Sequence, residues 1–342
     1  MPEPDAPRKP PKRFWLYAPY VLLAVAAVGW SGWWVYGRGR IAAGLDAAAA
    51  SAQAAGGELS WRTRRIGGYP FRFDVTLEGA RAAEASGWSL AAPELKAETY
   101  AYRPDRWIAV APRGVVLTRP GKGAAAIAGE ALRASISDLA ASPPRVAVEG
   151  VNLTFTPQAG GAPLPIAAAR RIELYMRPQA GDQAGVLFKL EGGKAADGPL
   201  ARIAGDKPVS AALEGQFERF GALRGGGWAQ AARNWAGAGG AFTLIQGGLT
   251  AGDASLSMRR ATLTVGGDGR LRGVVPTDLH KAAGALLALG QGQTIDPAAA
   301  AAAAAVAQAR QGADLNASVN LTFEAGRTTL GPVAVGDAPR LF

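Results

Sequence analysis

Few residues in this chain are equipped for chemistry. It has one histidine, His280, and no cysteine, which removes Cys nucleophiles, disulfides, zinc ribbons, multi-His metal sites and any triad not built on His280. His280 follows Asp278 in the stretch VVPTDLHKAAGALLALG, where Thr277 can cap a helix carrying Leu279, Ala283, Leu286 and Leu287. On that predicted helix Asp278 and His280 do not share a face, and no Gly-x-Ser-x-Gly elbow offers a nucleophile. An exposed helical histidine is the expectation. Neither a phosphate-binding Gly-x-x-x-x-Gly-Lys nor a complete Gly-x-Gly-x-x-Gly occurs, so no nucleotide cofactor is expected, and no metal. A carboxylate pair for glycoside hydrolysis is set in space rather than by spacing along the chain, and nothing singles one out. The sequons Asn152-Leu153-Thr154, Asn316-Ala317-Ser318 and Asn320-Leu321-Thr322 fall on wet strand faces and are ordinary in Thr-rich strands. The reading is of a non-catalytic protein.

The elements that must position whatever site exists are mostly strands. The 46 Gly and 23 Pro among 342 residues suit short strands joined by many turns. Phe71, Phe73, Val75 and Leu77 alternate with Arg72, Asp74, Thr76 and Glu78; Val209, Ala211, Leu213, Gly215 and Phe217 repeat the pattern, and so do Leu315, Ala317, Val319, Leu321 and Phe323. A period of two with one apolar and one wet face is the mark of half-buried antiparallel strands. Further strands are predicted near 59–66, 94–99, 107–118, 132–138, 145–155, 171–177, 185–191, 242–250, 255–265, 270–275 and 328–335. Register changes across Glu149-Gly150 and Arg259-Arg260 read as β-bulges. Turns at 266–269 and 324–327 imply hairpins. Helices are expected at Trp228–Trp235, after Thr277, and from Asp296-Pro297 through the Ala298–Ala305 run. The fold class is mainly β (α+β): a large curved antiparallel sheet with a few short helices.

From Phe14 to Tyr36 the chain runs FWLYAPYVLLAVAAVGWSGWWVY, 23 residues without a charge, enough at about 1.5 Å per residue to cross a hydrocarbon core of roughly 30 Å. Trp15 and Tyr17 at one end, and Trp30, Trp33, Trp34 and Tyr36 at the other, suit rings at the two headgroup levels. Ala24-Val25-Ala26 resembles a signal-peptide cleavage site, but the apolar run continues for ten residues past Ala26, which favours a signal anchor. Basic residues before Phe14 place the N-terminus in the cytoplasm and the bulk across the membrane. The expected organisation is a cytoplasmic tail over 1–13, a transmembrane helix over 14–36, an Ala-rich juxtamembrane helix over 37–57 and a periplasmic β-rich domain over 58–342, divisible near 198–208.

The formal net charge is +10, yet residues 1–40 carry Arg8, Lys9, Lys12, Arg13, Arg38 and Arg40 against Glu3 and Asp5, or +4 of it. The rest is dispersed among acidic residues, so no nucleic-acid partner is expected. A dozen strands offer more apolar face than three short helices cover. The uncovered part must pack on itself as a sandwich or flattened barrel, line a groove or meet a partner; for a groove the candidate lining is Phe71, Phe73, Val75, Leu77, Leu213, Phe217, Leu321 and Phe323. Trp228 and Trp235, between Gly225-Gly226-Gly227 and Gly239-Gly240, are candidates for a mobile apolar lid; Trp61, Trp88 and Trp107 are expected in the core. Tyr69-Pro70 reads as a turn leading into the strand, its ring packed on the core.

Gly67-Gly68-Tyr69-Pro70-Phe71-Arg72-Phe73, Ala92-Pro93-Glu94-Leu95 with Tyr102 and Trp107, and the closing Leu330-Gly331-Pro332 with Pro339 and Leu341 resemble a family of proteobacterial envelope proteins, the domain of unknown function 2125 family. The resemblance covers nearly the whole chain and implies an inner-membrane-anchored periplasmic protein without an assigned activity. It is also distantly similar to AsmA-type envelope proteins, whose curved sheets form an apolar groove associated with phospholipid traffic; this is a likeness of fold only. The function expected is to bind or pass a phospholipid or other apolar ligand in a groove. The alternative is a structural or adaptor domain docking another envelope protein without a small ligand. A hydrolase of envelope polymer is a third reading, which requires a cleft with a carboxylate pair of raised pKa.

Overall fold

A computed structural model describes residues 14–281 and 316–342. The chain begins with one helix, α1 (Phe14–Ala54, 41 residues), where a span and a separate juxtamembrane helix were expected. The first half is apolar on all sides, and the Ala-rich second half has the highest intrinsic helix propensity. It stops where Gly56 takes the left-handed conformation (φ 75°) and the Gly57 amide reaches back to the Ala52 carbonyl, a Schellman closure.

Among the described residues after α1, nineteen strands form one antiparallel sheet. The first half comprises β1 (Glu58–Ser60), β2 (Thr63–Gly67), β3 (Arg72–Ala83), β4 (Ser89–Tyr100), β5 (Arg103–Val110), β6 (Val115–Arg119), β7 (Gly123–Ala128), β8 (Ala131–Ser137) and β9 (Arg145–Pro157). The second comprises β10 (Ile166–Gln179), β11 (Gln183–Ala195), β12 (Val209–Phe217), β13 (Ala241–Ala251), β14 (Ala254–Met258), β15 (Ala261–Val265), β16 (Leu271–His280), β17 (Ala317–Glu324), β18 (Arg327–Leu330) and β19 (Val333–Asp337). β1 with β2, β5 with β6, β7 with β8, and β14 with β15 each form one interrupted row, because both members pair with the same neighbour. The result is an up-and-down meander of fifteen rows, roughly 70 Å across the strands at about 4.8 Å per row.

Two short helices lie in connections: α2 (Pro199–Ala204) between β11 and β12, and α3 (Trp228–Gly237) between β12 and β13. The sheet runs on unbroken past 198–208, with β11 and β12 paired directly.

Several local expectations change. The stretch Thr277–His280 is the end of strand β16, not a helix: Thr277 is fully buried between Met258 of β14 and Val319 of β17, and those sheet contacts override the helix propensity of the sequence around it. The rest of that predicted helix, and the one from Asp296, lie outside the described residues. β9 pairs with β8 and β10 without a slip across Glu149-Gly150; its irregularity is at Asn152, whose φ is 48°. At Arg259-Arg260 the strand breaks, and β14 and β15 pair with β16 one residue out of step.

Candidate functional site

Strand register builds the candidate surface. Val75, Ala97, Ala109, Ala134, Val148, Leu174, Phe188 and Leu213 face one another in succession from β3 to β12, one apolar row crossing most of the sheet. Two residues along each strand, on the same face, a second row joins Trp107, Ile136, Val146, Met176 and Val186. On the other side a third joins Ile172, Leu190, Ala211, Leu249, Leu256 and Leu279.

The three α-helices among the described residues lie on this face. α1 covers its start, where Trp34 stacks on Phe73 (centroids 5.6 Å apart) and Ile41 and Leu45 pack on Val75 and Leu77. α2 places Leu200, Ile203 and Ala204 against Leu190, Val209 and Ala251. α3 sets Trp235 edge-on to Phe217 (5.7 Å) and close to Gly240, where no side chain interferes. Although rooted far apart in the sheet, α1 and α3 meet: the Trp228 amide donates to Glu84 Oε1 (3.3 Å), and Gly226 comes up against Ala55. The Trp228 indole donates to the Leu341 carbonyl (2.8 Å). The sheet therefore curls toward its apolar face, and α3 clasps the curl to the C-terminal end of α1, the β3–β4 turn and Leu341.

Between these covered ends, on β8 to β11, the floor is half-exposed. Ile136, Val148, Met176, Val186 and Phe188 are partly buried and Leu174 is 39% exposed. The opposite face over the same strands is polar. Glu149 and Glu173 stand directly opposite each other, each only 13% exposed. Arg171 bridges them (2.5 and 2.8 Å), and Arg133 closes on Glu149 from the other side (Nε to Oε2, 2.6 Å). Two carboxylates with two guanidiniums make a neutral cluster that rigidifies β8, β9 and β10. The Tyr175 hydroxyl completes it by donating to Glu173 Oε1 (3.0 Å), and that bond, aided by burial, pushes the phenol above its ordinary value of 10.0. A raised value means the bond is intact below pH 10 and is lost as the pH rises through the shifted value. In an alkaline absorbance titration, Tyr175→Phe is expected to remove a late-ionising tyrosine, and Glu173→Gln to bring its ionisation down toward the ordinary range. A hollow of about 460 Å³ lies beside this cluster, lined by Ser135, Arg145, Tyr175, Arg177 and Glu214 among others.

The predicted lining residues separate into three groups. Phe73, Val75 and Leu77 are buried beneath α1 at 2%, 5% and 7% exposure. Leu213, Phe217, Leu321 and Phe323 are half-buried, and Leu213, Leu321 and Phe323 pack around the cluster of Leu244, Ala261, Leu263 and Val275. Phe71, 66% exposed, lies outside β3. The open floor instead belongs to β8–β11, whose alternation of Ile172, Leu174 and Met176 with Arg171, Glu173, Tyr175 and Arg177 was the available signal. Trp235 is a core residue at 2% exposure, its indole donating to the Glu218 carbonyl (2.7 Å), while Trp228 is 43% exposed and tethered as described.

Of the other tryptophans, Trp61 and Trp107 border the core beneath α1, but Trp88 is 46% exposed. The Tyr69 ring is 56% exposed, its hydroxyl bonded to Ser31 and its edge against Trp34, so it packs on α1 at the surface. His280 and Asp278 do share a face, since residues two apart on a strand point the same way. His280 Nδ1 meets Asn316 Oδ1 (3.1 Å), and Asp278 is held by Ser318 and Arg259. Among the described residues no group of three acidic or histidine side chains is placed to ligate a metal.

Fold and surface together define a class: a curled antiparallel meander on a long N-terminal helix that is long and apolar enough to cross a membrane. Residues 34–339 match the family described as "Uncharacterized protein conserved in bacteria (DUF2125)", and the chain belongs to that family. The match begins at Trp34, where α1 is docked on the sheet. No curated protein and no solved structure matches the chain, and the likeness to AsmA-type proteins is not shown.

Proposed function

We propose that this protein is anchored in the inner membrane through α1, with its N-terminus cytoplasmic and its sheet in the periplasm, and that the apolar face binds or passes phospholipid acyl chains without chemistry. The observation that carries this reading is the set of uninterrupted cross-strand rows, half-exposed on β8–β11 between regions covered by helices. Ile136, Val148, Leu174, Met176, Val186 and Phe188 make an apolar strip two rows deep across the four strands β8–β11, a surface of the chemistry that takes an acyl chain.

Native mass spectrometry of the full chain, with lipid extraction, tests it. Retention of phospholipid in stoichiometric amount is expected, with loss of most of it in Leu174→Glu, a substitution at a half-open site that should leave folding intact. Lipid retained equally by the variant points to annular lipid around α1. Protein that holds none overturns the reading and favours a domain that docks another envelope protein.

A further inference from the structure

α1 has a second relation to the sheet besides covering Val75 and Leu77. Beginning at Trp30, its side chains tie it to the end of the sheet formed by the start of β3 and the end of β4. The Trp30 indole donates to the Pro70 carbonyl (2.8 Å), Trp33 to Ala101 (3.3 Å) and Trp34 to Arg72 (2.8 Å). Ser31 shares a hydrogen bond with the Tyr69 hydroxyl (2.8 Å). That rim carries four exposed aromatic residues: Tyr69 at 56%, Phe71 at 66%, Tyr100 at 53% and Tyr102 at 64%. Tyr100 and Tyr102 stack on each other at 5.1 Å rather than packing inward. Beside them α1 exposes Trp33 and Tyr36. Large aromatic side chains left outside in one contiguous rim mark an interaction surface.

Helix length identifies what the surface meets. Only 16 residues of α1, Phe14–Gly29, precede the docked turn, and at 1.5 Å each they span about 24 Å, short of a hydrocarbon core of roughly 30 Å. Lys12 and Arg13 lie immediately before them and do not extend the apolar stretch. If α1 spans the bilayer, the missing few ångströms come from the turn that bears Trp30 and Trp33, which places the rim at headgroup depth. Tyr and Trp favour that layer, with the ring toward the chains and the polar atom toward water, and the exposed Arg103 and Arg106 add attraction for anionic headgroups.

We infer that Tyr69, Phe71, Tyr100 and Tyr102 form an aromatic collar that seats this end of the sheet in the headgroup layer of the membrane α1 enters. The inference rests on α1 being a membrane span and is independent of whether the apolar rows hold lipid.

The absence of cysteine makes single labels unambiguous. The full chain, as Phe71→Cys, Tyr102→Cys, Val21→Cys or Asp253→Cys, is labelled with an environment-sensitive dye and reconstituted into phosphatidylethanolamine–phosphatidylglycerol vesicles. These contain phospholipid bearing a nitroxide either on the headgroup or midway along the acyl chain. Val21 lies within the apolar half of α1, and Asp253 is exposed in the turn between β13 and β14. Expected is severalfold stronger quenching by the headgroup nitroxide at 71 and 102 than at 253, together with quenching at 21 by the chain nitroxide. Labels at 71 and 102 that behave like the label at 253, while position 21 is quenched, overturn the collar and leave the anchor standing. Absence of lipid quenching at position 21 overturns both.

Discussion

Trp235→Ala is expected to lower stability by about 3–5 kcal/mol, the usual cost of deleting a fully buried large aromatic side chain and a fall in Tm of roughly 10 °C for a chain of this size. Trp235 is 2% exposed, sits against Phe217 and lies over Gly240, while its indole satisfies the Glu218 carbonyl. Truncation leaves both a cavity and an unmet acceptor. Trp228→Ala, at 43% exposure, is expected to cost far less, and the pair separates two roles for α3. A lid would show the larger loss of lipid retention in native mass spectrometry with little change in Tm. A clasp shows the larger loss of Tm for Trp235→Ala with lipid stoichiometry unchanged below the transition.

Trp34→Ala should cause a loss of similar size, about 3–5 kcal/mol, measured by thermal or denaturant unfolding of the full chain in detergent. Trp34 is the most buried residue of α1, at 7% exposure, stacked on Phe73 and bonded to the Arg72 carbonyl. Trp34→Phe keeps the stacking and forfeits the hydrogen bond, so it should cost the smaller share, about 1 kcal/mol. Equal stability of Trp34→Ala and the parent chain would mean that α1 does not dock on β3 in solution. Truncation before Ile41 is expected to behave like Trp34→Ala, because it removes the same ring.

Much of this fold is legible in the sequence, and the reason is alternation. Where one face of a strand is dry and the other wet, as in Phe73–Val75–Leu77 or Val319–Leu321–Phe323, the period of two survives in the residue types. Breaks inside a strand are harder to see. Pro112-Arg113-Gly114 divides 107–118 into β5 and β6, yet both halves continue one row in space. Thr277 and its neighbours read as a helix because capping and propensity are local, whereas the contacts of Thr277 with β14 and β17 are not. The site was partly legible for a related reason. Alternation tells which side chains share a face, but which of them remain uncovered depends on where α1, α2 and α3 come to rest. Phe73 was therefore indistinguishable in kind from Leu174, though one is buried under Trp34 and the other is open. Trp30, Trp33 and Trp34 posed the same ambiguity: an indole suits a lipid headgroup and a backbone carbonyl equally well, and here each of the three donates to a carbonyl of the sheet.

The single helix from Phe14 to Ala54, pinned along its length by Trp34, Arg64 to Asp46, and the Schellman turn at Gly56, leaves no hinge where an anchor ordinarily meets its domain. In a bilayer such a chain is a lever with a fixed elbow. Helices tilt to match local bilayer thickness, and a change in tilt of about 10° swings the C-terminal end of α1, about 30 Å beyond Trp34, by on the order of 5 Å and carries the docked sheet with it. Membrane thickness would thus set which way the apolar floor faces, and two copies in bilayers of different thickness would present it at different heights above the surface.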